Sequence, residues 1–306
     1  MTASSSQETG PYAYRLFGLN LSSDILLPEL GFFPFPPESE DVRIVLGAVP
    51  ESLEVPEFSR ALFSIQNRTL LLNVPDCARY LVREGREIVC EPLVAEPGPD
   101  LLVYLYGTCL AALCYQRGMM PFHAGVVETP SGAVLVAGDS GAGKSTLAAA
   151  LQERGYTVWS DDLCVLDIET RRVSPGIPRI KLWENSIAHV GWQDRPNEPV
   201  LLRRNKFQFR VPPARQDWLD LKAIFTIDAD HRYQVKLVPL SGIKAIRAIE
   251  ANLFRNAIVH GIKANTTYFA HCCTLAQSVP VLHVERPRLL EAMPQVLDSI
   301  EAAILS

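Results

Sequence analysis

The 306-residue chain has little of what would direct it to a membrane, a nucleic acid or the outside of a cell. Residues 101–115 form its longest apolar stretch, which falls short of the ~20 residues a spanning helix needs and is interrupted by Gly107 and Thr108. A buried helix is the expectation there. Positive charge is not in excess: 29 Lys and Arg stand against 34 Asp and Glu, for a net charge of −5. Neither nucleic acid nor an anionic membrane is therefore an expected partner. The seven cysteines are odd in number and never spaced as C-x-x-C, which argues against a disulfide framework or a zinc ribbon and for reduced, buried thiols. His271 beside Cys272 and Cys273 is half of a ligand set without a second half. Residues 1–11 lack a basic start and an apolar run, so they read as a disordered tail rather than a signal peptide, and the expected location is the cytoplasm. There is no internal repeat.

What is present is a glycine loop, Gly138-Asp139-Ser140-Gly141-Ala142-Gly143-Lys144-Ser145-Thr146, which matches G-x-x-x-x-G-K-[ST]. The apolar run 133–137 precedes it and the helix-forming run 147–151 follows, the strand, loop and helix order that a P-loop requires. Glycines let backbone N–H groups curl around a phosphate at the positive end of the helix. Lys144 supplies a point charge to the β- and γ-phosphates, and the Ser145 hydroxyl is placed to hold Mg²⁺. The whole segment 138–146 is the expected ATP site, with Mg²⁺ as the companion ion.

Two length arguments bring further chemistry to this loop. Residues 144–154 form a helix that carries the chain ~16 Å away. Gly155 ends it, and residues 156–160 return as a strand over about the same distance, which sets Asp161 and Asp162 level with the phosphates. One carboxylate can join Ser145 on Mg²⁺ while the other accepts a proton from an attacking hydroxyl. Residues 125–129 and 133–137 flank the turn Thr129-Pro130-Ser131-Gly132 and predict an antiparallel hairpin whose open end sets His123 beside the loop. His123, Lys144, Asp161 and Asp162 form the candidate catalytic set. Arg179 and Lys181 alternate with apolar residues on one side of a strand and are candidates for contacts to the phosphates or the substrate. Arg203, Arg204 and Lys206 are candidates for a lid or a substrate contact.

Around this core the chain divides into a β-rich module over residues 12–100 and an α/β nucleotide-binding part over residues 101–306, entered through a helix at 101–117. Within the second part, 222–228 and 232–238 read as a strand pair, and Ser241 as the N-cap of a helix over 242–254. Residues 279–284 read as a strand and 288–304 as an amphipathic helix.

His123, the glycine loop and Ser160-Asp161-Asp162 together resemble the catalytic core of the HPr kinase/phosphorylase family, over roughly residues 121–166. Thr146 stands where the bacterial carbon-regulation enzymes usually carry Glu, and their downstream signature segment is replaced by 175–183. Leu27-Pro28-Glu29-Leu30, Gln116-Arg117-Gly118 and Pro178-Arg179-Ile180-Lys181-Leu182-Trp183 look more like the HPr-kinase-like serine kinases associated with lasso-peptide biosynthesis. The resemblance implies a mixed sheet with flanking helices, Asp161 as general base, Asp162 as the metal-side acid with Ser145, and His123 as their neighbour. It also implies transfer to a serine hydroxyl of a precursor peptide or small protein, often at its C-terminus, and homo-oligomers. The other readings are a small-molecule kinase acting on free serine or a sugar, and a nucleotide-gated binding protein that performs no transfer.

Overall fold

A computed structural model describes residues 11–95, 98–200, 205–213, 218–230 and 234–305. The first part is one sheet of eight strands: β1 (Tyr12–Leu16), β2 (Leu19–Ser23), β3 (Val42–Leu46), β4 (Phe58–Ser59), β5 (Phe63–Gln66), β6 (Thr69–Val74), β7 (Ala78–Arg83) and β8 (Glu87–Pro92). Their order is β1-β2-β3-β8-β7-β6-β5-β4. Three hairpins turn through pairs of residues with positive φ, Phe17-Gly18, Asn67-Arg68 and Glu84-Gly85, whose twist matches the flanking strands. The pairings β2 with β3 and β3 with β8 are parallel, and the other five are antiparallel.

The apolar stretch beyond this sheet is helical, as α1 (Asp100–Tyr104), a π-helical turn (Leu105–Cys109) and α2 (Leu110–Gln116). Gly107 and Thr108 lie in the widened turn. Tyr80 donates its hydroxyl to Leu101 O at 2.8 Å, and the helix is buried among residues of both the first sheet and the one that follows. No helix among the described residues is long and apolar enough to cross a membrane.

The second sheet is built from β9 (Met120–Phe122), β10 (Ala124–Thr129) and β11 (Gly132–Gly138), then, after α3 (Lys144–Glu153), from β12 (Thr157–Ser160), β13 (Cys164–Asp167) and β14 (Arg172–Pro175). A small three-stranded sheet follows: β15 (Arg179–Trp183), α4 (Glu184–His189), β16 (Glu198–Pro199) and β17 (Lys206–Arg210). The chain then returns to the large sheet with β18 (Leu219–Asp230) and β19 (Lys236–Leu240). It continues through α5 (Gly242–Ala251), α6 (Ala257–Gly261) and α7 (Asn265–Ser278) to β20 (Val281–Pro287) and α8 (Met293–Leu305). The order β12-β10-β11-β18 continues at β18 to β14, β13 and β9 through its first residues and to β20 and β19 through the rest. The architecture is mixed α/β with large mixed sheets.

Alternation along the central strands divides their side chains between two cores. Val126 and Leu135 face the first sheet and α2, whereas Val127, Val134, Val136, Phe225 and Ile227 face α3, α8 and the small sheet. All seven cysteines are free, and no group of three metal-ligating side chains occurs among the described residues.

Three local expectations change. The strands over 222–228 and 232–238 do not pair with each other, because β20 inserts between β18 and β19. Ser241 sits at the N-cap of α5, but its side chain makes no capping bond, and the helix stops at Ala251. The last helix starts at Met293 rather than 288, with Pro294 in its first turn, where a missing N–H costs nothing.

Candidate active site

The glycine loop joins β11 to α3. Gly138 has φ +138, and a Cβ there would lie 2.3 Å from Ile227 O on the neighbouring strand, so only glycine fits. At Gly143, φ +98, a Cβ would meet Arg286 Nη2 at 2.2 Å. Arg286 is buried and donates from Nε and Nη2 to Ala142 O at 3.1 and 2.8 Å, which fixes the loop from the end of β20. Asn252, just past α5, fixes the other end. Its Oδ1 accepts from Gly138 N–H at 2.7 Å, its Nδ2 donates to Ala248 O, and its carbonyl accepts from His123 N–H at 2.7 Å. Arg286 and Asn252 were invisible to motif reading, since a strand-terminal Arg and a post-helical Asn have no distinguishing spacing.

Lys144 is buried and donates from Nζ to Gly138 O at 2.7 Å and to Asp139 O at 3.1 Å. Burial lowers its pKa from the ordinary amine value, and the nearby Asp161 and Asp162 oppose that shift. A cavity of about 640 Å³ opens over the loop, lined by Ser140, Gly141, Gly143, Lys144, Ser145 and Thr146. Gly138, Asp139 and Ala142 shape the loop through their backbones without lining it. The Thr146 hydroxyl is buried and donates to Ser186 Oγ at 3.1 Å, tying α3 to α4.

The hairpin register brings the acids here. Ala124 pairs with Ala137, so His123 lies level with Gly138, and Ser160 pairs with Val126, which sets Asp161 beside the hairpin's open end. Asp161 is buried, and its Oδ2 accepts from Lys181 N–H at 3.2 Å. Asp162 has φ +99, a region costly for a residue with a Cβ, and is anchored by Lys181 Nζ on its Oδ2 at 2.5 Å. Burial by itself raises the Asp162 pKa, but Lys181, His123 and Lys206 outweigh it and hold the carboxyl well below the usual range. His123 Nδ1 lies 2.7 Å from Asp162 O; a carbonyl only accepts, so Nδ1 carries the proton and Nε2 the lone pair. Burial, reinforced by Lys144, lowers its pKa and keeps the ring neutral at pH 7.

Arg179 and Lys181 share a strand face, as alternation dictates, but reach different places. Lys181 lines the glycine-loop cavity. Arg179 turns instead to Glu29, whose Oε1 accepts from Nη1 at 3.0 Å, to Gln208 at 2.9 Å, and to the face of Tyr106. It lines a second cavity of about 410 Å³ together with Tyr106, Leu253, Phe254 and Arg255. The buried Glu29 carboxylate holds the Arg179 guanidinium on this second cavity rather than on the one over the glycine loop. Lys206 lines the first cavity, and Arg203 and Arg204 lie outside the described residues. His123, Ser140, Asp161, Asp162 and Lys181 line both cavities and form their common wall.

Mg²⁺ takes one or two carboxylates and completes its shell with phosphate oxygens and water rather than a full protein cage. The Ser145 hydroxyl and the ionised Asp162 carboxylate on one cavity fit that pattern.

The mixed α/β fold and a glycine loop flanked by paired acids define the class to which the molecule can be compared. No protein-family model and no curated protein sequence matches the chain. Among solved structures it is similar to the HPr(Ser) kinase/phosphatase from Coxiella burnetii, at 14% identity over 61% of this chain and 99% of that one, with a TM-score of 0.30. A superposition this loose assigns no residue a role.

Proposed function

We propose that the protein is an ATP- and Mg²⁺-dependent phosphotransferase acting on a serine hydroxyl of a peptide or small protein, of the lasso-peptide-precursor kind implied by the motif resemblance. The observation that carries this reading is the common wall: two cavities, one over the glycine loop, meet at His123, Asp161, Asp162 and Lys181. A nucleotide in the larger cavity and an acceptor in the smaller would face each other across the acids. In-line transfer needs that arrangement.

In this reading Lys144 leaves its loop carbonyls for the β- and γ-phosphates. Ser145 and Asp162 would hold Mg²⁺, which supplies charge neutralisation on the phosphate oxygens. The carboxylate of Asp161 takes the proton of the acceptor hydroxyl, whose oxygen forms the new bond to the γ-phosphorus as the bond to the β–γ bridging oxygen breaks and ADP leaves. Lys181, next to Asp162, balances charge building on the transferred group. Neutral His123 holds the Asp162 backbone by its Nδ1 proton.

A small-molecule acceptor is the second reading, favoured by the size of the 410 Å³ cavity, which suits one side chain or one small molecule. Mass spectrometry separates the two, using the protein with ATP and Mg²⁺ and a serine-ending precursor peptide, its Ser-to-Ala version, or free serine. One phosphate gained by the serine peptide alone supports the peptide kinase, and phosphoserine from the free amino acid supports the second reading. Tight ATP binding without any transfer would sink both. In the productive assay Asp161→Asn should lower the transfer rate by ~10²–10⁴ while ATP still binds; an unchanged rate removes Asp161 as the base.

A further inference from the structure

The cavity over the glycine loop has a wall that phosphate chemistry leaves unused. Trp183, the last residue of β15, is 44% exposed, while Trp159 and Trp192 are buried and Trp218 is partly buried. Trp183 brings a large flat ring to a cavity lined mostly by polar side chains, and it is held in place. The register of the small sheet sets Lys206 opposite Trp183, and the Lys206 ammonium stands 5.7 Å from the ring centroid. The backbone is fixed on the other side because Trp183 is the N-cap of α4, which Ser186 ties to α3 through Thr146. Leu290 lines the same cavity, and Asn185 and Asn205 bring carboxamides to it. Asn205 is oriented by donating to Glu184 Oε2 at 3.0 Å, whereas Asn185 is exposed and has no side-chain hydrogen bond among the described residues.

We infer that Trp183 is the stacking platform for the purine base of the bound nucleotide, with the Asn185 carboxamide at the edge of the base. The inference rests on the nucleotide reading of the glycine loop and names what that reading omits. The phosphates engage the loop and Lys144, and the heterocycle lies on the indole, in a cavity whose volume of about 640 Å³ exceeds what a triphosphate fills alone. A purine is favoured over a pyrimidine because its fused rings cover more of the indole face. A carboxamide presents a donor and an acceptor side by side, which matches the N6 and N7 edge of adenine.

Titration calorimetry with Mg²⁺ tests this with three probes, ATP, CTP and inorganic tripolyphosphate, and with ATP against the Lys144→Ala variant. Wild-type protein should bind ATP about 10–100-fold more tightly than tripolyphosphate, the range expected for stacking one base. CTP should fall between the two. Trp183→Ala should erase the advantage of ATP and leave tripolyphosphate binding unchanged, which also shows that the variant is folded, and Trp183→Phe should restore part of the advantage. Equal affinities for ATP and tripolyphosphate in the wild type, or an undiminished ratio in Trp183→Ala, would overturn the platform while leaving the loop reading intact. Binding of ATP that Lys144→Ala does not weaken would instead overturn the loop reading, and the platform with it.

Discussion

Lys181 is the residue on which both aspartates depend: its ammonium meets Asp162 and its backbone N–H meets Asp161. It also explains how Asp162 tolerates φ +99, since the ion pair and the His123 contact hold a backbone that would otherwise relax. Lys181→Met should therefore destabilise the protein by about 1–3 kcal/mol in urea titrations, less than the ~3–5 of a fully buried pair because a third of Asp162 is open to the cavity. It should also abolish measurable transfer; full activity in a folded variant would remove Lys181 from the site. A second residue-scale prediction concerns His271, which stands edge-on to Tyr268 with a buried Nδ1 that has no hydrogen-bond partner. Burial lowers its pKa from 6.5. The unfolded chain takes up a proton near pH 6.5 that the folded chain resists, so stability falls as the pH drops below that value. His271→Phe should flatten the urea midpoint between pH ~6.5 and ~5. An unchanged slope would mean that the imidazole titrates alike in both states. At this scale the meeting of the glycine loop and the aspartate pair at one cavity was legible, because it follows from rise per residue along the helix and the returning strand. Glu29, Asn252, Arg286 and Trp183 were not, because each acts through a contact more than a hundred residues away or through exposure.

At the scale of elements, local geometry was readable and long-range pairing was not. The outward run of α3 and the return of β12 follow from rise per residue, and the β10–β11 hairpin from its turn residues. The insertion of β20 between β18 and β19 could not be read, since parallel strands joined through three helices leave no mark in the linear pattern. The loop over residues 27–30 shows what such contacts do. Glu29 leaves the first sheet to accept from Tyr106, Arg179 and Gln208, and Pro28 O accepts from Arg210. This latch sets the Arg179 side of the second cavity from outside the β15 strand. Glu29→Ala strands a buried guanidinium, so a loss of about 3–5 kcal/mol is expected by chemical denaturation. The milder Glu29→Gln keeps an acceptor and should fold while raising the KM for the acceptor more than that for ATP. Equal changes in both constants would show that the latch does not shape the acceptor side.

For the whole molecule, the decisive feature is where the larger core lies. One continuous cluster runs from Tyr14, Ile44 and Tyr80 of the first sheet through Leu105, Ala111 and Tyr115 of the helix to Leu135, Ile224 and Val281 of the second sheet. The helix over 100–116 is apolar nearly all round for this reason: each side has a sheet against it. Composition and turn spacing marked a β-rich module, but they could not show that its inner face and the helix beyond it close a single core. Unfolding should accordingly be one cooperative event. Far-UV circular dichroism reports the strands and helices of both parts, whereas tryptophan fluorescence reports chiefly the second, since Trp159, Trp183, Trp192 and Trp218 all follow residue 117 and only Trp218 packs against the first sheet, at Gly18. The two signals should give superimposable urea curves with one midpoint and one slope. Curves separated in midpoint would mean that the first sheet unfolds independently, and the latch at Glu29 would then report a docking equilibrium between two parts rather than a fixed wall of the second cavity.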